Sequence, residues 1–179
     1  IHPVYGIFSP GGDTVKRLFA LALSLALLCP ACHAASEPVT RGEFTVALWE
    51  SFGGVPYEAT GVFYDVSHNR PDTAAICWAA DMGFVLGTGW GRFDPDRPIT
   101  REEAAVVLRR VGNFLGFETR TMGSLAECND FDGISPWADD SLYWATDTGL
   151  IPWAEGGLMS PQGTLTAEEA TGIFTRFFL

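Results

Sequence analysis

The sequence predicts an all-α fold built from repeated helix–loop–helix units. One observation is a Thr followed three residues later by Glu, a spacing typical of a capping box, in which the Thr hydroxyl accepts from the N3 amide and the Glu carboxylate accepts from the N-cap amide. A second observation is that apolar residues recur at helical spacing behind each Thr. Helices are therefore expected to begin after Thr40, Thr100 and Thr166.

A repeat with an offset of 66 residues provides the third observation. The segment IleCysTrpAla at 76–79 aligns with LeuTyrTrpAla at 142–145. The alignment continues without a gap to Thr100 and Thr166, the first residues of the second and third capping boxes. An earlier, partial copy ends in ValThrArgGlyGlu at 39–43. Repeated units that cannot bury an apolar face alone are expected to pack against one another.

The repeat divides the chain into three units: a half repeat at 38–56, a repeat at 61–116 and a degenerate repeat at 129–179. Each full unit is expected to have a leading helix, at 72–83 or 138–149, that ends at a Gly suited to a left-handed C-cap. The glycine-rich segment 87–95 is expected to be an ordered loop. The core of the second helices is predicted to contain Phe44, Ala47, Leu48; Ala104, Val107, Leu108, Val111, Phe114, Leu115; Ala170, Ile173, Phe174 and Phe177.

The N-terminal region has the pattern of a signal peptide. Lys16 and Arg17 precede the eleven-residue apolar run LFALALSLALL, and small residues follow up to Ala34. We expect residues 15–34 to be removed after export, leaving 35–179. Residues 1–14 contain no Met, so translation is expected to begin at Val15. A membrane-spanning helix needs about 20 apolar residues, so no transmembrane segment is expected in the mature chain.

Four cysteines leave two questions open. Cys77 and Cys128 can form one disulfide in an exported protein, or they can remain free thiols. Cys29 and Cys32 lie inside the signal region, where either could carry a lipid anchor.

Composition argues against several classes of function. The net charge of −11 is opposite to that of a surface that binds nucleic-acid phosphates. After the signal region the chain has a single histidine, His68, so a metal cluster or a Ser-His-Asp arrangement has little to build on. Asp94 and Asp96 resemble a glycosidase pair, but Asp94 aligns with Ser160 on the repeat loop. We therefore predict neither catalysis nor a cofactor.

The units resemble the S-layer homology (SLH) repeat of bacterial cell-surface proteins. The resemblance is strongest at 63–111, where FYDV, a helix with AAICWAA, the loop GTGWGRFDP and ITREE follow one another. It implies a pseudo-threefold helical fold that anchors proteins to the wall. The partner implied is an anionic, often pyruvylated, secondary cell-wall polysaccharide or another peptidoglycan-linked glycan, which would place the protein at the cell surface or outside the cell.

The resemblance also implies ligand-binding residues. Carried over by motif, they are Arg41, Arg101, Asp65, Gly87, Gly89 and Trp137. An Arg side chain can pair with a ketal carboxylate through two hydrogen bonds, and a helix N-terminus with free amides favours an anion. A Trp ring can stack on a sugar.

Some motif positions depart from the family pattern. In the third unit the Arg is replaced by Ala167 and the Asp by Gly133, while the second unit has Pro71 at the aromatic position. Other interpretations remain open: Arg41 and Arg101 could pair with Glu37 or Glu102 at a solvated helix start, and Asp65 could cap a turn. Trp78 and Trp144 are expected in the core, whereas Trp90 and Trp153 could either bind sugar or close the core.

Two hypotheses of function follow. Glycan anchoring predicts an exposed Arg101 in a groove that also holds Asp65 or an aromatic residue of another unit. A structural or protein-interaction module with decayed glycan binding predicts instead an apolar surface patch of several hundred Å².

Overall fold

The computed structural model describes residues 37–58, 61–120 and 128–179. The expected signal region, with Cys29 and Cys32, lies outside the described residues. Five α-helices and two short 3-10 helices, Phe131–Gly133 and Glu155–Gly157, form the regular structure there, and the described ranges contain isolated β-bridges but no strand. The helices are α1 (Arg41–Ser51), α2 (Thr73–Asp81), α3 (Arg101–Leu115), α4 (Asp139–Asp147) and α5 (Ala167–Phe178).

The three predicted capping boxes are confirmed. Thr40, Thr100 and Thr166 are the N-cap residues of α1, α3 and α5, and each box has both of its hydrogen bonds. The leading helices α2 and α4 end two residues earlier than predicted. Their chains then turn through Gly83 (φ 73°) and Gly149 (φ 70°), a left-handed conformation that glycine adopts without steric cost.

The leading helix of each full unit packs against the second helix of the preceding unit. Helix α2 lies against α1, and α4 lies against α3. The core between them contains Phe44, Leu48, Leu108 and Leu142, all fully buried. Trp144 is buried as predicted, and Trp78 packs on the core while half-buried. The prediction of a buried Phe114 and Leu115 is wrong, because both are exposed near the C-terminus of α3.

A closed set of backbone hydrogen bonds joins the three segments that lead into α1, α3 and α5. The amide of Val39 donates to the carbonyl of Leu165 (2.8 Å), that of Leu165 to Ile99 (3.3 Å), and that of Ile99 to Val39 (3.0 Å). Each residue immediately precedes an N-cap Thr. We call this set the N-cap ring. It brings the starts of the three second helices together at one place in the molecule.

Cys77 and Cys128 are both free, so of the two alternatives the structure has thiols rather than a disulfide. Cys77 is buried in α2. Cys128 is half-buried, and its thiol donates to Asp130 Oδ1 at 3.1 Å.

Candidate functional site

Arg41 reaches from the start of α1 into the glycine loop of the second unit. Its Nε donates to the carbonyl of Phe93 (2.9 Å), and its Nη2 donates to that of Leu86 (3.1 Å). The guanidinium lies 4.6 Å from the centre of the Phe93 ring, and its Nη1 is 3.1 Å from Glu103 Oε1. Burial lowers the pKa of Arg41, while the Glu103 carboxylate acts in the opposite direction. Arg41 is therefore a cation whose charge is balanced within the protein.

Arg101 makes the corresponding contacts at the next junction. It donates from Nε to the carbonyl of Met159 (2.8 Å) and from Nη2 to that of Pro152. Pro152 and Met159 lie 66 residues after Leu86 and Phe93, so the repeat has reproduced the junction. Among the described residues no carboxylate lies within 4 Å of Arg101, unlike Arg41.

The electrostatic environment of Arg101 follows from these contacts. Burial lowers its pKa, and the carboxylates of Glu169 and Asp130 oppose that shift through longer-range attraction. The alternative in which Arg101 pairs with Glu102 is wrong. The buried Glu102 carboxylate instead accepts from the backbone amide (3.0 Å) and hydroxyl (2.9 Å) of Ser135, and from Gln162 Nε2 (2.7 Å).

The prediction that Arg101 is exposed is wrong, and so is the prediction that free helix amides lie beside Arg41 and Arg101. Arg41 and Arg101 are only 6% and 5% exposed. The first helical amides are already occupied: Arg41 N donates to the carbonyl of Arg97 (2.9 Å), Arg101 N to Gly163 (2.8 Å), and Ala167 N to Glu37 (3.1 Å). The helix N-termini thus bind the polypeptide of a neighbouring unit, and they do not offer the free amides that the sequence suggested.

Asp65 holds the glycine loop through Phe93, the same residue that Arg41 contacts. Its two carboxylate oxygens accept from the amides of Phe93 (2.9 Å) and Asp94 (2.8 Å). Phe93 thereby links Asp65, which binds its amide, to Arg41, which binds its carbonyl. The alternative that Asp65 caps a turn through its own neighbouring backbone is wrong, because its partners lie 28 and 29 residues away.

Asp130 performs the same task in the third unit, which the sequence alignment missed. Its oxygens accept from the amides of Met159 and Ser160, both at 2.8 Å. Burial tends to raise the pKa of Asp130, but these amides and the Cys128 thiol lower it below its ordinary value. The alignment of Gly133 with Asp65 was thus misleading, because the carboxylate is supplied from just before the Phe-Asp-Gly-Ile motif. The Asp at 130 was the available signal.

The predicted loop glycines have steric reasons to be glycine. A Cβ atom at Gly87 would lie 2.5 Å from the Arg92 carbonyl oxygen and 3.0 Å from Phe63 Cε1. Gly89 has φ 118°, a left-handed conformation that other residues rarely adopt. Both residues let the loop close tightly beside Asp65 and Arg41.

Trp137 lies apart from these contacts. It precedes α4 and is 59% exposed, and its indole has no ring or hydrogen-bond partner among the described residues. The structure therefore brings together Arg41, Asp65 and the loop of Gly87 and Gly89, and it places Arg101 at the separate third-unit junction.

Each junction borders a shallow surface depression formed by equivalent loop segments. The second-unit depression, about 380 Å³, is lined by Asp65, Arg92, Asp94, Pro95, Asp96 and Arg97. The third-unit depression, about 290 Å³, is lined by Asp130, Gly133, Ser160, Pro161, Gln162 and Gly163. A Cβ atom at Gly163 would lie 3.4 Å from Arg101 Cδ, so the Arg101 stem packs against a residue that lines the third-unit depression. No cluster of three or more potential metal ligands occurs in the part of the chain that the structure describes.

Comparison with known proteins identifies the family. The S-layer homology domain matches residues 62–105, which contain Asp65, the glycine loop and Arg101. The chain contains an S-layer homology domain. Such domains anchor proteins to cell-wall polymers, and this membership supports an anchoring role at the cell surface. None of the helices that the structure describes combines the length and apolar character that a bilayer span requires.

Relatives of the S-layer homology domain of this chain include both enzymes and surface proteins. The chain is 30% identical over 139 residues to the exoglucanase XynX of Acetivibrio thermocellus, and 28% identical over 141 residues to an endoglucanase of Bacillus sp. (strain KSM-635). These matches cover 77% and 78% of this chain but only 13% and 15% of the relatives. The surface-layer 125 kDa protein of Lysinibacillus sphaericus is 28% identical over 117 residues, which are 64% of this chain and 10% of that protein. The enzyme names therefore describe proteins of which the matched region is a small part.

Proposed function

We propose that this chain is a non-catalytic anchoring module that binds an anionic secondary cell-wall polysaccharide, with a ketal-linked pyruvate as the candidate charged group. The observation that carries the proposal is the junction at Arg101. There a buried guanidinium is held by two main-chain carbonyls, with no carboxylate within ion-pair distance among the described residues. A buried charge without a close counter-charge favours an anion nearby.

The proposal assigns different tasks to the two arginines. Arg41 is neutralised by Glu103 at 3.1 Å and covered by Phe93, so it acts as a structural link between the first and second units. Arg101 is buried against Gly163, which lines the third-unit depression, and its charge attracts the glycan carboxylate there. Trp137, exposed on the same unit, supplies a ring on which a sugar can stack.

The remaining predicted residues shape the site. Asp65 holds the second-unit loop through two backbone amides, and Gly87 and Gly89 allow its backbone to approach the ligand closely. The family's pseudo-threefold arrangement belongs to this proposal, and the N-cap ring supports it because Val39, Ile99 and Leu165 hold equivalent positions in their units. Export through the signal peptide would bring the module to the wall.

The test is sedimentation of the purified protein with cell-wall sacculi before and after hydrofluoric acid removes the secondary polymer. We expect binding to untreated walls only. Arg101→Ala is expected to abolish that binding, while Arg41→Ala retains it, because Arg41 is already neutralised. The two variants are matched, since both residues are buried and both bind two carbonyls.

Circular dichroism and urea unfolding establish that each variant is folded under the conditions of the assay. Arg101→Lys provides a second variant that keeps the charge but loses the two-pronged hydrogen bonding, and intermediate binding is expected. Wild-type protein that stays in the supernatant would overturn the proposal, as would equal binding by the Arg101→Ala variant.

The alternative function is a structural or protein-interaction module of the cell envelope. One observation favours it: Phe114, Leu115 and Phe117 are exposed together around the C-terminus of α3. This alternative predicts that the protein stays in the supernatant with every wall preparation, and that Phe117→Ser weakens its capture by a wall-associated protein.

A further inference from the structure

The most exposed large apolar side chain among the described residues is Trp90, at the tip of the second-unit loop. It is 96% exposed, and Tyr64 beside the loop is 69% exposed. Neither ring contributes to the core. Two large aromatic rings that stay in water despite the favourable free energy of burial indicate a binding surface.

The backbone that presents Trp90 is fixed by a network of contacts. Thr88 N donates to the Arg92 carbonyl (2.8 Å), and Arg92 N donates back to the Gly89 carbonyl (3.0 Å). Arg92 Nε and Nη2 both donate to Asp94 Oδ1, at 2.9 and 2.7 Å. The Thr88 hydroxyl donates to the other Asp94 oxygen at 2.6 Å. A tip held in this way loses little backbone entropy when a ligand binds.

Trp90 adopts an unusual conformation within this network. Its φ of 53° lies in the left-handed region that residues other than glycine enter only at a free-energy cost. The flanking Gly89 and Gly91 also have positive φ, 118° and 71°. Residues whose backbone is held in such conformations cluster at functional sites, because the surrounding structure must enforce the strain.

Tyr64 is attached to the same tip. Its amide donates to the Gly91 carbonyl at 3.1 Å, and its Cδ1 lies 3.4 Å from the position of a Cβ atom on Gly91. The Arg92 guanidinium is 5.9 Å from the centre of the Tyr64 ring. We call Tyr64 and Trp90 the aromatic tip. Gly91, which has no side chain, follows Trp90 in the sequence and is the residue that Tyr64 contacts.

The surroundings of the aromatic tip favour a sugar over a protein partner. The chain around Trp90 is Thr88, Gly89, Gly91 and Arg92, which adds hydrogen-bonding groups but no further apolar surface. The core of a protein interface needs a contiguous apolar patch, whereas a pyranose ring has one apolar C–H face and a rim of hydroxyls. The adjoining second-unit depression supplies donors and acceptors for such a rim.

The charges beside the aromatic tip are paired with one another. Arg92 pairs with Asp94 (2.7 Å), Arg70 pairs with Asp96 (2.7 Å), and Arg97 pairs with Glu103 (2.5 Å). This balance leaves no net cation to select an anionic group. The ligand expected here is therefore an uncharged sugar residue.

We propose that the aromatic tip is a second subsite, which stacks on a neutral pyranose of the wall glycan while the Arg101 junction attracts its carboxylate. This inference rests on the proposed function, because the same polymer would occupy both places. It adds a contact that the glycine-loop motif does not contain, carried by two side chains of the second unit.

The experiment measures sedimentation of the purified protein over a range of sacculus concentrations. We expect Trp90→Ala to weaken binding to untreated walls about tenfold, which corresponds to a loss of about 1.4 kcal/mol in binding free energy. Trp90→Tyr retains part of the affinity because it keeps a stacking ring. Phe114→Ala is the control, because Phe114 is also an exposed aromatic residue. It lies near the C-terminus of α3, about 20 Å from the start of that helix at Arg101, given a rise of about 1.5 Å per residue.

Salt dependence separates stacking from charge attraction. The loss caused by Trp90→Ala should be the same at low and high salt, whereas the loss caused by Arg101→Ala should shrink as salt screens the charge. Wild-type protein that fails to sediment would overturn both the proposed function and this inference. Wild-type binding with an unchanged Trp90→Ala variant would overturn the inference alone. A Trp90→Ala effect that persists on hydrofluoric acid-treated walls would also overturn it, because the contact would then lie on another wall component.

Discussion

Asp65 and Asp130 show that a single carboxylate can be moved along the sequence while its contacts are retained. Each accepts from two successive backbone amides of the loop that an arginine of the preceding unit binds through a carbonyl. The arginine and the aspartate thus hold opposite polar groups of the same loop residue, Phe93 or Met159. This pairing fixes the loop because a shift would break charge-assisted bonds on both sides.

Replacement of Asp130 by Asn is therefore expected to lower the free energy of unfolding by about 1–3 kcal/mol at about pH 7, because one amide of Met159 or Ser160 would face an NH₂ group. The pKa of Asp130 is lowered in the folded protein, so its contribution is complete above the ordinary value of 3.8 and is lost as the pH falls through the folded pKa. The difference between wild type and variant should thus shrink towards about pH 2.

Urea unfolding at the two pH values checks this prediction. Asp132→Asn serves as the control, because Asp132 is exposed and the structure gives it no hydrogen bond to the loop. A difference between wild type and Asp130→Asn that stays constant with pH would show that the carboxylate charge contributes nothing.

At the scale of the elements, the three capping boxes do more than begin helices. Each helix start is covered by a neighbouring unit. The first helical amide donates to a backbone carbonyl that lies three residues before the N-cap Thr of that neighbouring unit. The Glu of a box can also serve a second purpose, since Glu103 accepts from Thr100 and pairs with both Arg41 and Arg97. Burial tends to raise the pKa of Glu103, but these arginines and the Thr100 amide lower it below its ordinary value.

Thr100→Ala is expected to lower the free energy of unfolding by about 1 kcal/mol, since the amide of Glu103 loses its acceptor. Thr175→Ala is the control: the Thr175 side chain is exposed and its hydroxyl donates to a carbonyl within helix α5, so a change below about 0.5 kcal/mol is expected. Urea unfolding monitored by circular dichroism provides the measurement. Equal losses in the two variants would contradict a specific role for the cap.

At the scale of the whole molecule, the N-cap ring makes the half repeat a necessary part of the fold. Val39 of the first unit supplies both an acceptor to Ile99 and a donor to Leu165. Helix α1 also contacts the second unit through Arg41, and it contacts the third unit through Phe44 and Phe174, whose ring centres are 4.8 Å apart. The three units should therefore unfold together.

Native-state hydrogen exchange tests this cooperativity. The amides of Val39, Ile99 and Leu165 are expected to exchange with one free energy, equal to that of global unfolding. The amide of Arg92, in the exposed loop, should exchange at a lower free energy. Fast exchange at Val39 with protection retained at Ile99 would contradict the prediction, because the half repeat would then open independently.

The sequence by itself determined the helix starts, the repeat and the family resemblance. A capping box lies within four residues and helical periodicity within a few turns, so both can be recognised without knowledge of the partner units. The glycine requirement at Gly87 and Gly89 belonged to the same motif, although its steric cause became visible only with Phe63 and Arg92 in place.

Only the tertiary structure decided which polar groups remain available to a ligand. Arg41 and Arg101 occupy the same motif position, yet one meets a carboxylate from a residue 62 positions away and the other meets none within the same distance among the described residues. The sequence alignment likewise did not reveal that Asp130 takes the role of the motif Asp in the third unit. Hydrogen bonding depends on where atoms meet in space and not on their alignment. Local chemistry determined where the helices begin, and long-range packing determined which charges are neutralised.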